Sequence, residues 1–149
     1  MIIRNNNIEI ANGHISIGMS FVQAENILKD IIYTKAAPNE KGIGHIILKN
    51  IDFYGLYGKC TIYFQNECIT QFGFTPEWNM YELTDSVGNR MPIDKAIERV
   101  AFLSKEGLKA VFGEPSIISE YGNEVFVSDK LNIISTFARS GENYSVIVR

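Results

Sequence analysis

At 149 residues the chain is long enough to bury about 70% of its unfolded surface in one domain, without a disulfide or a metal to hold it. A net charge of −3 and a pI near 5.4 argue against general nucleic-acid binding, which takes clustered Lys and Arg to neutralise phosphates. With 46% hydrophobic and 21% charged residues, the composition is that of a globular protein and excludes disordered and collagen-like classes.

The opening "MIIRNNNIEI" holds no secretory apolar run, and no stretch reaches the length of a membrane span, so the expected address is cytoplasmic. In "IEIANGHISI", Asn12-Gly13 is the pair a two-residue type I′ turn prefers. Folding about it sets Ile10 opposite Ile15 and Ile8 opposite Ile17, with His14 on the outer face as a solvated imidazole. Gly18 then stands between strand and helix. No further glycines or acidic strand end make a dinucleotide fingerprint with it, so it reads as a corner and not as a phosphate cradle. Ser20 and Gln23 form an S-x-x-Q capping box, and Phe21, Ala24, Leu28, Ile31 and Ile32 recur at helical spacing behind it.

Residues 37–44 read as a loop. Three strand-like runs follow, at 45–53, 59–64 and 68–74, broken by Tyr54-Gly55 with Gly58 and by a hairpin turn at Asn66-Glu67. That turn pairs Cys68 with a residue near Phe64 and not with Cys60, so both cysteines are expected as reduced thiols. Residues 75–91 form a polar connector without clear periodicity. Pro92 suits the first turn of a helix whose apolar face carries Ile93, Ile97, Val100 and Ala101. Ser104 offers a cap for a second short helix with Leu108, Val111 and Phe112, while Gly107 equally allows one helix over 92–112. Gly113 and Pro115 close this region, and four short strands in antiparallel order fill the tail.

Each half is thus a helix followed by antiparallel strands, about 1–74 and 92–149, joined by the connector 75–91. The expected class is α+β: one domain with an antiparallel sheet of about six to eight strands and two or three helices on one face. The stretches "SIGMSFVQAENIL" and "LKAVFGEPS" resemble the strand–Gly–helix and Gly-x-Pro turns of the β-lactamase inhibitory protein repeat. The sequence differs from that family in lacking its disulfides, a signal peptide and a lipobox cysteine. More broadly it resembles the small, acidic immunity proteins of bacterial toxin–immunity pairs. That resemblance implies a cytoplasmic inhibitor that binds one toxin domain and blocks its active site.

Motifs for chemistry are absent from the sequence. His14 and His45 have no metal-ligand spacing around them, and no nucleophile elbow, Walker loop or acid/base carboxylate pair is present. A Cys60–His45–Asp52 arrangement is the best available nucleophile, but Cys60 alternates with Ile62 and Phe64 on an apolar face that would keep the thiol inert. No catalytic residue, cofactor or metal is therefore expected. One feature stands out: between Lys59 and Arg90 there is no basic residue, while Glu67, Glu77, Glu82 and Asp85 are present together with Trp78 and Tyr81. Acids around aromatic anchors fit a surface that steers a basic protein, with Glu77, Trp78, Tyr81, Glu82 and Asp85 as partner-binding residues. The first expectation is a non-enzymatic immunity or inhibitor module for a basic toxin, such as a nuclease domain, with no direct contact to nucleic acid or membrane. The second is a small-ligand protein or motif-free enzyme with a pocket near Tyr54, Tyr57 and Cys60. The third is a homodimer through an edge strand at Tyr144–Arg149.

Overall fold

The computed structural model describes residues 1–4, 7–10, 13–77, 84, 87–128, 130–137 and 144–149. Among the described residues, alternating apolar and polar positions lay down eleven strands. They are β1 (Ile2–Arg4), β2 (Asn7–Ile10), β3 (Gly13–Ser16), β4 (Ile32–Ala36), β5 (Gly44–Phe53), β6 (Leu56–Gln65), β7 (Cys68–Pro76), β8 (Ile117–Ile118), β9 (Glu124–Ser128), β10 (Leu131–Phe137) and β11 (Tyr144–Val148). Two helices, α1 (Phe21–Leu28) and α2 (Ile93–Phe112), precede β4 and β8.

The first three strands form a small sheet, and the other eight an antiparallel sheet in the order β4-β5-β6-β7-β11-β10-β9-β8. Each helix therefore leads a four-stranded meander, and the two meanders meet where β7 pairs with β11. Cross-strand register aligns two rows on one face: Leu48, Cys60, Phe74, Val146, Ser135 and Glu124, and beside it Ile46, Ile62, Phe72, Val148, Ile133 and Phe126. Both rows are buried. Phe21 of α1 packs edge-on against Phe64 with ring centroids 5.0 Å apart. From α2, Ile97, Ala101 and Leu108 join the same core, as do Ile3, Ile8, Ile10 and Ile15 of the small sheet. The antiparallel α+β plan with helices on one face is as expected; the small sheet is an addition to it.

Local detail departs from expectation in several places. The first hairpin pairs Ile10 with Gly13 and Ile8 with Ile15, so Gly13 belongs to the ladder and Ile17 falls outside it. Gly13 is needed in the strand, not in the turn: a Cβ there would run into Ile27 Cγ2 of α1. The capping box forms as read, with Ser20 Oγ accepting from Gln23 N, but the helix stops at Leu28. Ile31 lies in the turn that follows, and Ile32 opens β4, whose Ile-Tyr-Thr run favours extended backbone. The α2 segment is one helix: Ser104 faces the sheet and its Oγ accepts from Tyr144 Oη at 3.0 Å, so it acts as a buried contact and not as a cap. Finally, β11 is no edge, since it pairs on both sides; the edges are β4 and β8.

Candidate functional site

Side chains alternate across a strand, so the face turned away from the core has its own register. There Thr34, Ile47, Thr61, Gly73, Ile147, Ile134, Val125 and Ile117 line up in a single row that crosses all eight strands. The row contains no charged residue, and at about 4.8 Å per strand it runs for roughly 34 Å. Both helices and the small sheet contribute to the core on the opposite face. Ile47, Ile147, Ile134 and Val125 remain half-buried, and Ile117 is exposed.

Mostly polar residues and tyrosines border this row. On one side stand His45, Tyr63, Gln71, Arg149, Asn132 and the exposed Val127, and Tyr63 lies against the bare Cα of Gly73, where a Cβ would come 3.2 Å from its ring. On the other side stand Lys59 with Thr75 and Ser145 with Thr136. At the β5–β6 end, Lys49 Nζ sits 3.5 Å from the Tyr33 ring centroid. The hydrogen-bonding and charge of that ammonium hold the Tyr33 phenol below its ordinary pKa. Glu77 closes this end: its amide donates to Tyr57 O at 3.0 Å, and its carboxylate lies 3.7 Å from Lys59 Nζ. An apolar centre with a polar, mixed-charge rim is the anatomy of a protein-docking surface.

Of the partner-binding residues expected from sequence, Glu77 stands at the rim of this face, already paired with Lys59. Trp78, Tyr81, Glu82 and Asp85 lie outside the described residues. Their segment leaves the described structure at that rim, directly after Glu77. The residues of the pocket reading are divided between the two faces. The Tyr54 ring packs between Phe53 and Phe112, with centroids 4.8 and 5.6 Å away, and its hydroxyl accepts from Ile3 N. Cys60 is in the core, whereas Tyr57 is exposed on the open face. Burial pushes the Cys60 thiol up to about 12, and the thiol donates to Met1 Sδ at 3.7 Å. His45, one position off the core-facing Ile46, points to the other side of the sheet from Cys60. Asp52 uses its carboxylate to accept from Gly55 N at 2.9 Å in the β5–β6 turn. The nucleophile arrangement thus does not assemble. Cys68 is likewise unbridged, and it pairs with Gln65 across the Asn66-Glu67 turn.

Among the described residues no group of three His, Cys, Asp or Glu could hold a metal ion, and no helix is long and apolar enough to cross a membrane. His14 is solvated, with its Nδ1 4.0 Å from Glu9. The open face was missed in the sequence, although a signal for it exists. In "NIIS" and "SVIV", apolar residues occupy both parities of the strand, as they must where neither face is purely solvent. No protein-family model matches the chain, and neither the curated proteins nor the solved structures give a significant match.

Proposed function

We propose that this chain is a non-enzymatic protein-binding module of the immunity or inhibitor type, and that it occludes a basic toxin domain with its open sheet face. The charge-free row across eight strands carries this reading. Taken with its flanking residues, the face measures about 34 Å by 17 Å in plan, some 600 Å² before side-chain relief, which approaches the ~800 Å² per partner of a standard interface. The partner is assigned as basic because the window from Cys60 to Asn89 holds four acids and no Lys or Arg, and Glu77 brings that window to the rim of the face.

Affinity capture from the native host's lysate, at low and high salt, tests the proposal with two variants. Ile134→Lys/Ile147→Lys alters the row, and Glu77→Lys/Trp78→Ala/Glu82→Lys alters the acidic window. The expected result is one basic protein that reconstitutes a 1:1 complex with wild type after purification, binds more weakly at high salt, and is lost from both variants. No stoichiometric protein, or one that both variants retain, refutes the reading.

A further inference from the structure

Glu124 of β9 and Ser135 of β10 are cross-strand partners on the covered face, beneath α2. The remainder of their row, Leu48, Cys60, Phe74 and Val146, is apolar, so two polar residues stand at the end of a hydrophobic stripe. Three more polar side chains gather around them. Lys105 Nζ lies 3.7 Å from Glu124 Oε1 and donates to Gly122 O at 3.0 Å. Tyr144 Oη donates to Ser104 Oγ at 3.0 Å. Burial raises the Tyr144 phenol above its ordinary pKa, and the nearby Ser104 and Ser135 hydroxyls draw it partly back.

Two atoms of this cluster are left over. Glu124 Oε2 and Ser135 Oγ are both buried, and neither has a hydrogen bond of good geometry within the protein, although the Ser135 hydroxyl is close enough to Tyr144 to act on its phenol. Ser135 is 0% exposed and Glu124 9%, so bulk solvent does not serve them. Buried carboxylate oxygens and hydroxyls are paired in the great majority of folded proteins, and two neighbouring orphans are unusual.

We propose that one ordered water molecule is bound between them. It accepts a hydrogen bond from the Ser135 hydroxyl and donates one to Glu124 Oε2, the two polar partners that a buried water requires. The water then joins the Lys105–Glu124 pair to the Ser135 hydroxyl beside Tyr144, so that α2 is tied to β9, β10 and β11 through one polar chain. Ser135 lies between Ile134 and Thr136, which point to the open face, so this chain also backs the middle of the apolar row. The inference stands independently of what docks there.

Two measurements decide it. Water–protein cross-relaxation in the NMR spectrum of the wild-type protein should show a long-lived water at the Ser135 and Glu124 protons. Ser135→Ala should lose that signal and raise the unfolding equilibrium constant about tenfold or more, because Glu124 Oε2 is then left without its bridge. A wild-type protein with no long-lived water at these positions overturns the proposal, since Ser135 then bonds Glu124 or Tyr144 directly, or neither. A Ser135→Ala protein as stable as wild type overturns it equally, because a hydroxyl that was truly unpaired costs nothing to remove. Should the variant fail to fold, the wild-type spectrum alone settles the question.

Discussion

Gly58 offers the sharpest test of the main sheet. It sits in β6 opposite Pro76 of β7, and a Cβ at that position would lie 2.8 Å from Pro76 Cα and 2.9 Å from Thr75 C, with the Thr75 carbonyl oxygen nearer still. All of these are backbone atoms of the neighbouring strand, so no side chain can swing aside and the ladder itself must open. Overpacking a well-packed site costs about 1–3 kcal/mol, and displaced backbone puts Gly58→Ala at the upper end. The lower chain entropy of alanine returns about 0.4–1 kcal/mol, leaving a net loss of about 2 kcal/mol. Gly73→Ala is the matched control in the next strand. Its Cβ would meet only the ring of Tyr63, 3.2 Å away and half exposed, so it should stay within about 1 kcal/mol of wild type. Urea titration followed by circular dichroism reads both. With a slope of about 1.5–2 kcal/mol/M, Gly58→Ala should lower the midpoint by about 1 M with the slope unchanged. Equal midpoints for the two variants would refute the close approach of β6 and β7, and with it the register that sets the open row. Gly73→Ala should also push Tyr63 off the docking surface and weaken partner binding without unfolding the protein.

Ser20→Ala removes the hydroxyl half of the capping box and should cost about 1 kcal/mol, seen as a lower thermal midpoint. Thiol titration of the folded protein should find Cys68 ahead of Cys60, with Cys60 reacting only on unfolding, because its pKa of about 12 leaves almost no thiolate at neutral pH. The folded protein holds that proton to about pH 12, while the unfolded chain releases it near the ordinary value of 9.0. Stability from this group is therefore complete below about pH 9 and is lost between pH 9 and 12, a decline that Cys60→Ala should lessen when urea midpoints at pH 8 and 10.5 are compared. Tyr144→Phe removes the donor to Ser104 and should cost about 0.5–1.5 kcal/mol in the same assay.

The sequence made the strongly local features legible. A capping box, a Gly-closed helix end and the Asn66-Glu67 turn are each decided within a few residues, and each stands where their chemistry puts it. What depended on distant partners was not legible. Asn12-Gly13 is a good turn pair by itself, yet the approach of Ile27 draws Gly13 into the strand and shifts the register. Ser104 resembles a cap until Tyr144 is brought to it from β11. The open face belongs to the same category. Ile47, Ile147, Ile134 and Val125 come from strands far apart in the chain, and only the pairing of β7 with β11 joins them into one surface. The acidic window is conspicuous in composition, and of its two described acids, Glu67 and Glu77, the second stands at that surface.

The join between the two meanders also governs how the protein can be made. Val146 pairs with Phe74 and Val148 with Phe72, although α2 and three strands intervene in the chain. During synthesis β4 to β7 emerge first, with one edge of β7 unsatisfied and its Phe72 and Phe74 without their neighbours. At about 5–20 residues per second, the roughly 70 residues before β11 follows take some 4–15 s to translate. For that interval the nascent chain carries an open, aromatic strand edge of the kind that recruits other chains. A slowed ribosome or a crowded polysome would then lengthen the exposure, and the yield of folded protein would depend on how quickly β11 is delivered to close the gap.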